Sequence, residues 1–154
     1  MNNSHRPFKY SLDPVIRKNS WEAVILKSEL SQIEKIYLQK VEELNALQKT
    51  AADLENEIRG LQQENFSIIK ESFEARKAYL EHQRQVIEKK QRDIKQTEGV
   101  KERIANQLLA VKKSIKGLEK QRENKKKEHN TLQERKGVLE NDDLWLAHSQ
   151  RRKT

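Results

Sequence analysis

Two interleaved series of mostly apolar residues, each repeating every seven positions, constrain this chain more than anything else in it. One runs Leu30, Tyr37, Leu44, Ala51, Ile58 and the other Ile33, Lys40, Leu47, Leu54, Leu61. Their alternating spacing of three and four sets all ten on one stripe of a helix, the seam of a left-handed coiled coil. Lys40 is the only charged member, with Val41 beside it to compensate. Composition alone leaves the matter open, because 34% hydrophobic and 36% charged residues suit either a long helix or a disordered chain. Periodicity decides for the helix. Its start is written in "SLDPVIRK", where Asp13 suits the N-cap and Pro14 the first helical position, which needs no N–H.

The seam stops after Leu61. Gly60 and the polar "QQEN" follow, and the apolar residues return out of phase as Phe73, Leu80, Ile87, Ile94. That series continues into Ile104, Leu108, Val111, Ile115 and Leu118, interrupted by Lys101. A phase break across a loop-tolerant stretch favours a reversal near residues 60 to 67, with Ser67 as a cap, over one continuous helix with a stutter and a parallel dimer. The expected fold is therefore all-α, a long two-helix antiparallel coiled-coil hairpin with the longer helix C-terminal. Its divisions are an N-terminal arm (1–13), helix 1 (14–61), a turn (62–67), helix 2 (68–150) and a basic tail (151–154). A turn centred near residue 64 pairs positions whose numbers sum to about 128, so the partner of Pro14 is expected around residue 114. Beyond Leu118 the next seam positions are Arg122, Lys125 and His129, as expected of a helix that outlives its partner. Gly99, Gly117 and Gly137 within helix 2 each cost about 1 kcal/mol relative to Ala and invite bending or fraying.

The chemistry is sparse. The four histidines are far apart, and neither a phosphate-cradling glycine loop nor an HExxH pairing is present. With no cysteine there is no disulfide framework, thiolate metal site or thiol nucleophile. The reading is not an enzyme, with no cofactor and no metal. "MNNSHRPFKY" lacks the apolar core of a signal peptide, and the longest apolar run is only Ala23 to Leu26, so no membrane insertion is expected. The net charge of +8 is uneven: residues 100 to 154 hold 15 basic against 8 acidic side chains. The bland reading of that charge is a solvated helix face with pairs such as Glu123–Lys127, and the sharper readings are an acidic protein partner or nucleic acid. Nucleic acid ranks low, because no aromatics interleave the basic run.

Aromatics mark three places instead. Phe8, Tyr10 and Trp21 lie near the start; "ENDDLWLAHSQRRKT" sets Trp145 between leucines near the end; and "ENFSIIKESFEARKAYLEH" crowds Phe66, Ile68, Ile69, Phe73 and Tyr79 around the phase break. Trp21 and Trp145 read either as caps of the seam or as contacts with another chain. The central cluster reads either as apex packing or as a docking tip.

"FKYSLDPVIRK" followed by Trp21-Glu22 and a heptad helix resembles the N-terminus of the FliJ/YscO family, stalk proteins of bacterial type III secretion export ATPases in flagella and injectisomes. "ARKAYLEH" after the break and the closing "ERKGVLENDDLWLAHSQRR" are similar too, and the likeness in layout covers essentially the whole chain. The resemblance implies a hairpin whose paired ends enter the pore of the hexameric export ATPase, stimulate it and link it to the export gate. Carried onto this sequence, the ATPase-binding residues are Tyr10, Val15, Ile16, Trp21, Val24, Trp145, Leu146, Arg151 and Arg152. Those for the cytoplasmic domain of the export gate are Phe66, Ile69, Phe73, Tyr79 and His82. It further implies export chaperones as partners, and a place in the bacterial cytoplasm at the cytoplasmic face of the inner-membrane secretion apparatus. The competing classes are a generic structural coiled-coil scaffold and a secretion chaperone.

Overall fold

A computed structural model describes residues 6–62 and 70–153. They form two helices, α1 (Asp13–Gln62) and the longer α2 (Lys70–Arg152), which pack against each other antiparallel, so the fold is the expected all-α helical hairpin. Most of the expected turn, residues 63–67, lies outside the described residues, as does Ser67. The chain divides into two compact units. Unit 1 comprises Met1–Val24 with Leu109–Thr154, and unit 2 comprises Ile25–Leu108.

In unit 2 the seam follows the heptads. All ten positions of the two α1 series are buried or half-buried, and so are Phe73, Leu80, Ile87, Ile94, Ile104 and Leu108 on α2. Ala51, Ile58 and Leu80 form its centre, with Leu54, Phe73 and Ile87 packed around them. The α2 side is not uniformly apolar. Lys40 donates to Asp93 at 3.0 Å and to Thr97 Oγ1 at 2.9 Å, while Thr97 donates to the carbonyl of Asp93 at 3.0 Å. Thr97 is only 6% exposed, and these bonds satisfy its hydroxyl. Lys40 is thus answered from the opposite helix by two polar partners, and not simply compensated by Val41. Lys101, the other charged interruption, sits 5.0 Å from the centre of the Tyr37 ring, a cation–π contact. Ion pairs Lys90–Glu43, Arg84–Glu55 (3.0 Å) and the looser Arg76–Glu57 (4.0 Å) flank the seam.

These contacts also correct the expected register. Lys40 meets Asp93 and Glu43 meets Lys90, numbers that add to 133 in both cases. Asp13 meets Arg122, adding to 135, so the partner of the helix start is not near residue 114. The sums exceed the expected 128 by five to seven, a slip that periodicity does not reveal because it tells which face is buried and not which residues meet across it.

In unit 1 the start of α1 and the segment before it lie along α2. The N–H of Ile16 donates to the carbonyl of Leu12 at 3.0 Å, so the helix begins one residue before Pro14. The Asp13 carboxylate accepts a bond from Arg122 Nε at 3.0 Å, a tertiary use of a residue expected to cap its own helix. Nor does α2 become polar at Arg122 and His129 because it has outlived its partner. Those positions face the N-terminal segment and the start of α1, which meet them with the Arg6 carbonyl, the Phe8 ring and the Asp13 carboxylate. Gly99, Gly117 and Gly137 do not interrupt α2, which is continuous from Lys70 to Arg152.

Candidate docking surfaces

The N-terminal segment is held against α2 through Phe8 and Tyr10, with Asp13 at the start of α1. Tyr10, 8% exposed, donates its hydroxyl to Gln121 Oε1 at 2.5 Å. Arg122, bound to Asp13, also lies 5.9 Å from the centre of the Phe8 ring. Phe8 packs on His129 with ring centroids 5.6 Å apart and tilted by 49°, and His129 Nε2 lies 3.2 Å from the carbonyl oxygen of Arg6. Farther along, Asn19 donates to Ser114 Oγ at 3.2 Å. Phe8 and Tyr10 are thereby spent on α2.

With that face occupied, several large apolar groups of unit 1 are left exposed, while Val111, Ile115 and Leu118 stay half-buried. Trp21 is 71% exposed and Val24 and Val15 are exposed beside it on α1, while Ile16 is half-buried. Trp21 does not cap the seam. On α2, Trp145 is 70% exposed and Leu146 is exposed next to it, before Arg151 and Arg152 close the helix. Of the residues expected to bind the ATPase, all but Tyr10 and Ile16 thus have exposed side chains. Tyr10 acts on the surface indirectly, by fixing the segment that precedes α1.

The sequence reading overlooked Leu132, Val138, Leu139 and Leu144, which are also exposed on α2. The signal was there, since Leu132, Leu139 and Leu146 repeat every seven residues and continue the seam series Ile104, Val111, Leu118 beyond Lys125.

Unit 2 carries the residues expected to meet the gate. Phe73 is half-buried against Ala51, Ile58 and Leu80, with Lys77 Nζ 4.9 Å from its ring centre. Tyr79 is 51% exposed, and His82, three residues on along the same helix face, is exposed too. Phe66 and Ile69 lie outside the described residues. The structure therefore separates a packed aromatic at 73 from an exposed pair at 79 and 82. Among the described residues no group of three or more His, Asp or Glu side chains is arranged to hold a metal ion, and no helix is long and apolar enough to cross a membrane.

What this geometry offers is contact: exposed aromatics and leucines on helices fixed from behind, beside a run of basic side chains. A family model described as the flagellar FliJ protein matches residues 8–154, nearly the whole chain. No curated protein and no solved structure matches the chain.

Proposed function

The chain belongs to the FliJ family, a component of the flagellar export apparatus, and from that membership we propose that it is the stalk of the export ATPase. It inserts the exposed groups of unit 1 into the pore of the hexamer, stimulates ATP hydrolysis there, and hydrolyses nothing itself. Trp21, Val24 and Val15 on α1 and Trp145, Leu146, Arg151 and Arg152 on α2 make the contact, with Ile16 supporting the α1 side and Tyr10 holding the preceding segment in place. The export gate's cytoplasmic domain is met through Tyr79 and His82, together with Phe66 and Ile69. Phe73 supports that surface from within the seam. Export chaperones are a further class of partner, and the protein works in the bacterial cytoplasm at the inner face of the membrane.

The observation that carries this reading is the exposure of both tryptophans, 71% and 70%, in a chain whose heptad seam from Leu30 to Leu61 is turned inward. An indole left in water on an otherwise charged helix loses little on folding and gains much when a partner covers it. The test is co-purification with the hexameric export ATPase and a measurement of its turnover with and without this protein. Trp145→Ala should leave helicity unchanged and weaken binding by up to roughly a hundredfold, because covering a large aromatic is worth about 2–3 kcal/mol. Undiminished affinity in a Trp21→Ala, Trp145→Ala double variant would place the contact elsewhere.

A further inference from the structure

Past Leu118 one column of the α2 seam regains apolar members in unit 1, where the series Ile104, Val111, Leu118 passes through Lys125 to Leu132, Leu139 and Leu146. Leu132, Leu139 and Leu146 repeat every seven residues, Val138 and Trp145 flank them, and all five are exposed. With about 100° between successive residues, the three leucines lie about 60–100° round the helix from His129, which meets Arg6 and Phe8, while Val138 and Trp145 lie on the far side. Arg135 and Asp142 run along its centre line, exposed, one heptad apart and opposite in charge.

We propose that this stripe pairs antiparallel with the same stripe of a second copy of the chain. The sequence is self-complementary about a point between residues 138 and 139. In that register Leu139 faces Val138 of the other copy, Leu132 faces Trp145, and Arg135 faces Asp142. A two-fold axis makes each match occur twice. The charges select this arrangement against its neighbours. Sliding the copies by one heptad in one direction sets Asp142 against Asp142, and in the other sets Arg135 against Arg135. A parallel pairing in register makes both clashes at once. This arrangement joins Leu132 to Trp145 and Leu139 to Val138, sets Leu146 against Thr131, and places each central charge against its opposite.

The overlap is short, about 24 Å of helix, and falls below the roughly 1,200 Å² at which stable interfaces begin. The dimer is accordingly weak, with a dissociation constant on the order of micromolar or above. It covers Trp145 and Leu146. Resting on the proposed role of those side chains, the pairing holds the ATPase-facing end of α2 closed until the ATPase competes for it.

Sedimentation velocity of the full chain across roughly 1 to 500 µM tests the pairing without any partner. The expected result is a monomer–dimer equilibrium that Arg135→Asp or Asp142→Arg alone weakens by on the order of tenfold and the two together restore. Because the chain has no cysteine of its own, Leu139→Cys should oxidise to a linked dimer whereas Leu132→Cys should not. A chain that stays monomeric throughout, single charge reversals that change nothing, or equal linking at both positions would each overturn the proposal. Export ATPase added to the dimer should release a one-to-one complex with the protomer. A dimer with the expected charge response whose partner ATPase binds neither form upholds the pairing and defeats the ATPase reading instead.

Discussion

Lys40 shows how a single residue can trade stability for a defined partner. It sits where a leucine or isoleucine belongs in the α1 series, and its ammonium is held by Asp93 and Thr97 across the seam. Removing one partner from a half-buried ion costs more than the pair itself contributes. Asp93→Ala is therefore expected to lower stability by about 1–2 kcal/mol, measured by denaturant unfolding, whereas Lys40→Leu should leave the midpoint unchanged or raise it. A Lys40→Leu variant that is strongly destabilised would show that the polar contact is a main support of the hairpin. Phe73 and Tyr79 make a second contrast. Phe73 packs on Leu80 and Ile58, so Phe73→Ala should cost about 2–4 kcal/mol, less than in a sealed core because the ring is only half-buried. Tyr79, half exposed, should cost little stability when cut to Ala but much affinity for the export gate. Large stability loss with unchanged gate binding for Tyr79→Ala would remove it from the docking surface.

At the scale of the helix, α2 crosses Gly99 and Gly117 without a break, and a methyl group added at either would meet nothing within 4 Å. Gly99→Ala and Gly117→Ala should each stabilise the chain by about 1 kcal/mol through helix propensity alone, seen as a rise in the thermal midpoint. No change would mean that α2 frays there before the hairpin unfolds. The two helices and their seam were legible in the sequence because a seven-residue repeat leaves only one face to bury. Leu30 to Ile58 and Phe73 to Ile94 all fell where their spacing put them. Register was not legible, since periodicity tells which face is buried and not which residues meet across it. What fixes it are pairs such as Lys40–Asp93 and Asp13–Arg122, whose members are far apart in sequence and ordinary in type. Tyr10 and Phe8 were hidden for a related reason. An aromatic before a helix gives no sign of whether it turns onto its own chain or awaits another, and here it finds Gln121 and His129. The exposed heptads at Leu132, Leu139 and Leu146 were readable as the continuation of Ile104, Val111 and Leu118, and were passed over because Lys125 interrupts that series.

Across the whole molecule, charge and pairing set how the chain meets others. Most of the net charge of +8 resides in residues 100 to 154, where basic side chains outnumber acidic ones 15 to 8. Raising ionic strength from about 0.05 to 0.5 M should weaken the complex with the ATPase, because screening shortens the reach of exposed charges to a few ångströms. A salt-insensitive affinity would assign the charge to solubility alone. The hairpin itself makes a direct prediction. Cysteines placed at Glu43 and Lys90, which form an ion pair, should cross-link within one molecule at low concentration. Links found only between molecules would instead require two chains side by side.

Among the described residues no side chain is completely removed from solvent, even at the centre formed by Ala51, Ile58 and Leu80. The thermal consequence is considerable. Newly wetted apolar surface is what raises the heat capacity on unfolding, and a seam shared by two helices holds little of it in reserve. The increment should therefore fall below the ordinary range of about 12–15 cal/mol/K per residue. Free energy of unfolding then varies only gently with temperature, so the protein should hold nearly the same stability in the cold as at growth temperature, and melt over a broad interval. Scanning calorimetry on dilute protein can read this directly. A heat-capacity increment at or above the ordinary range would reveal apolar surface hidden by association between chains.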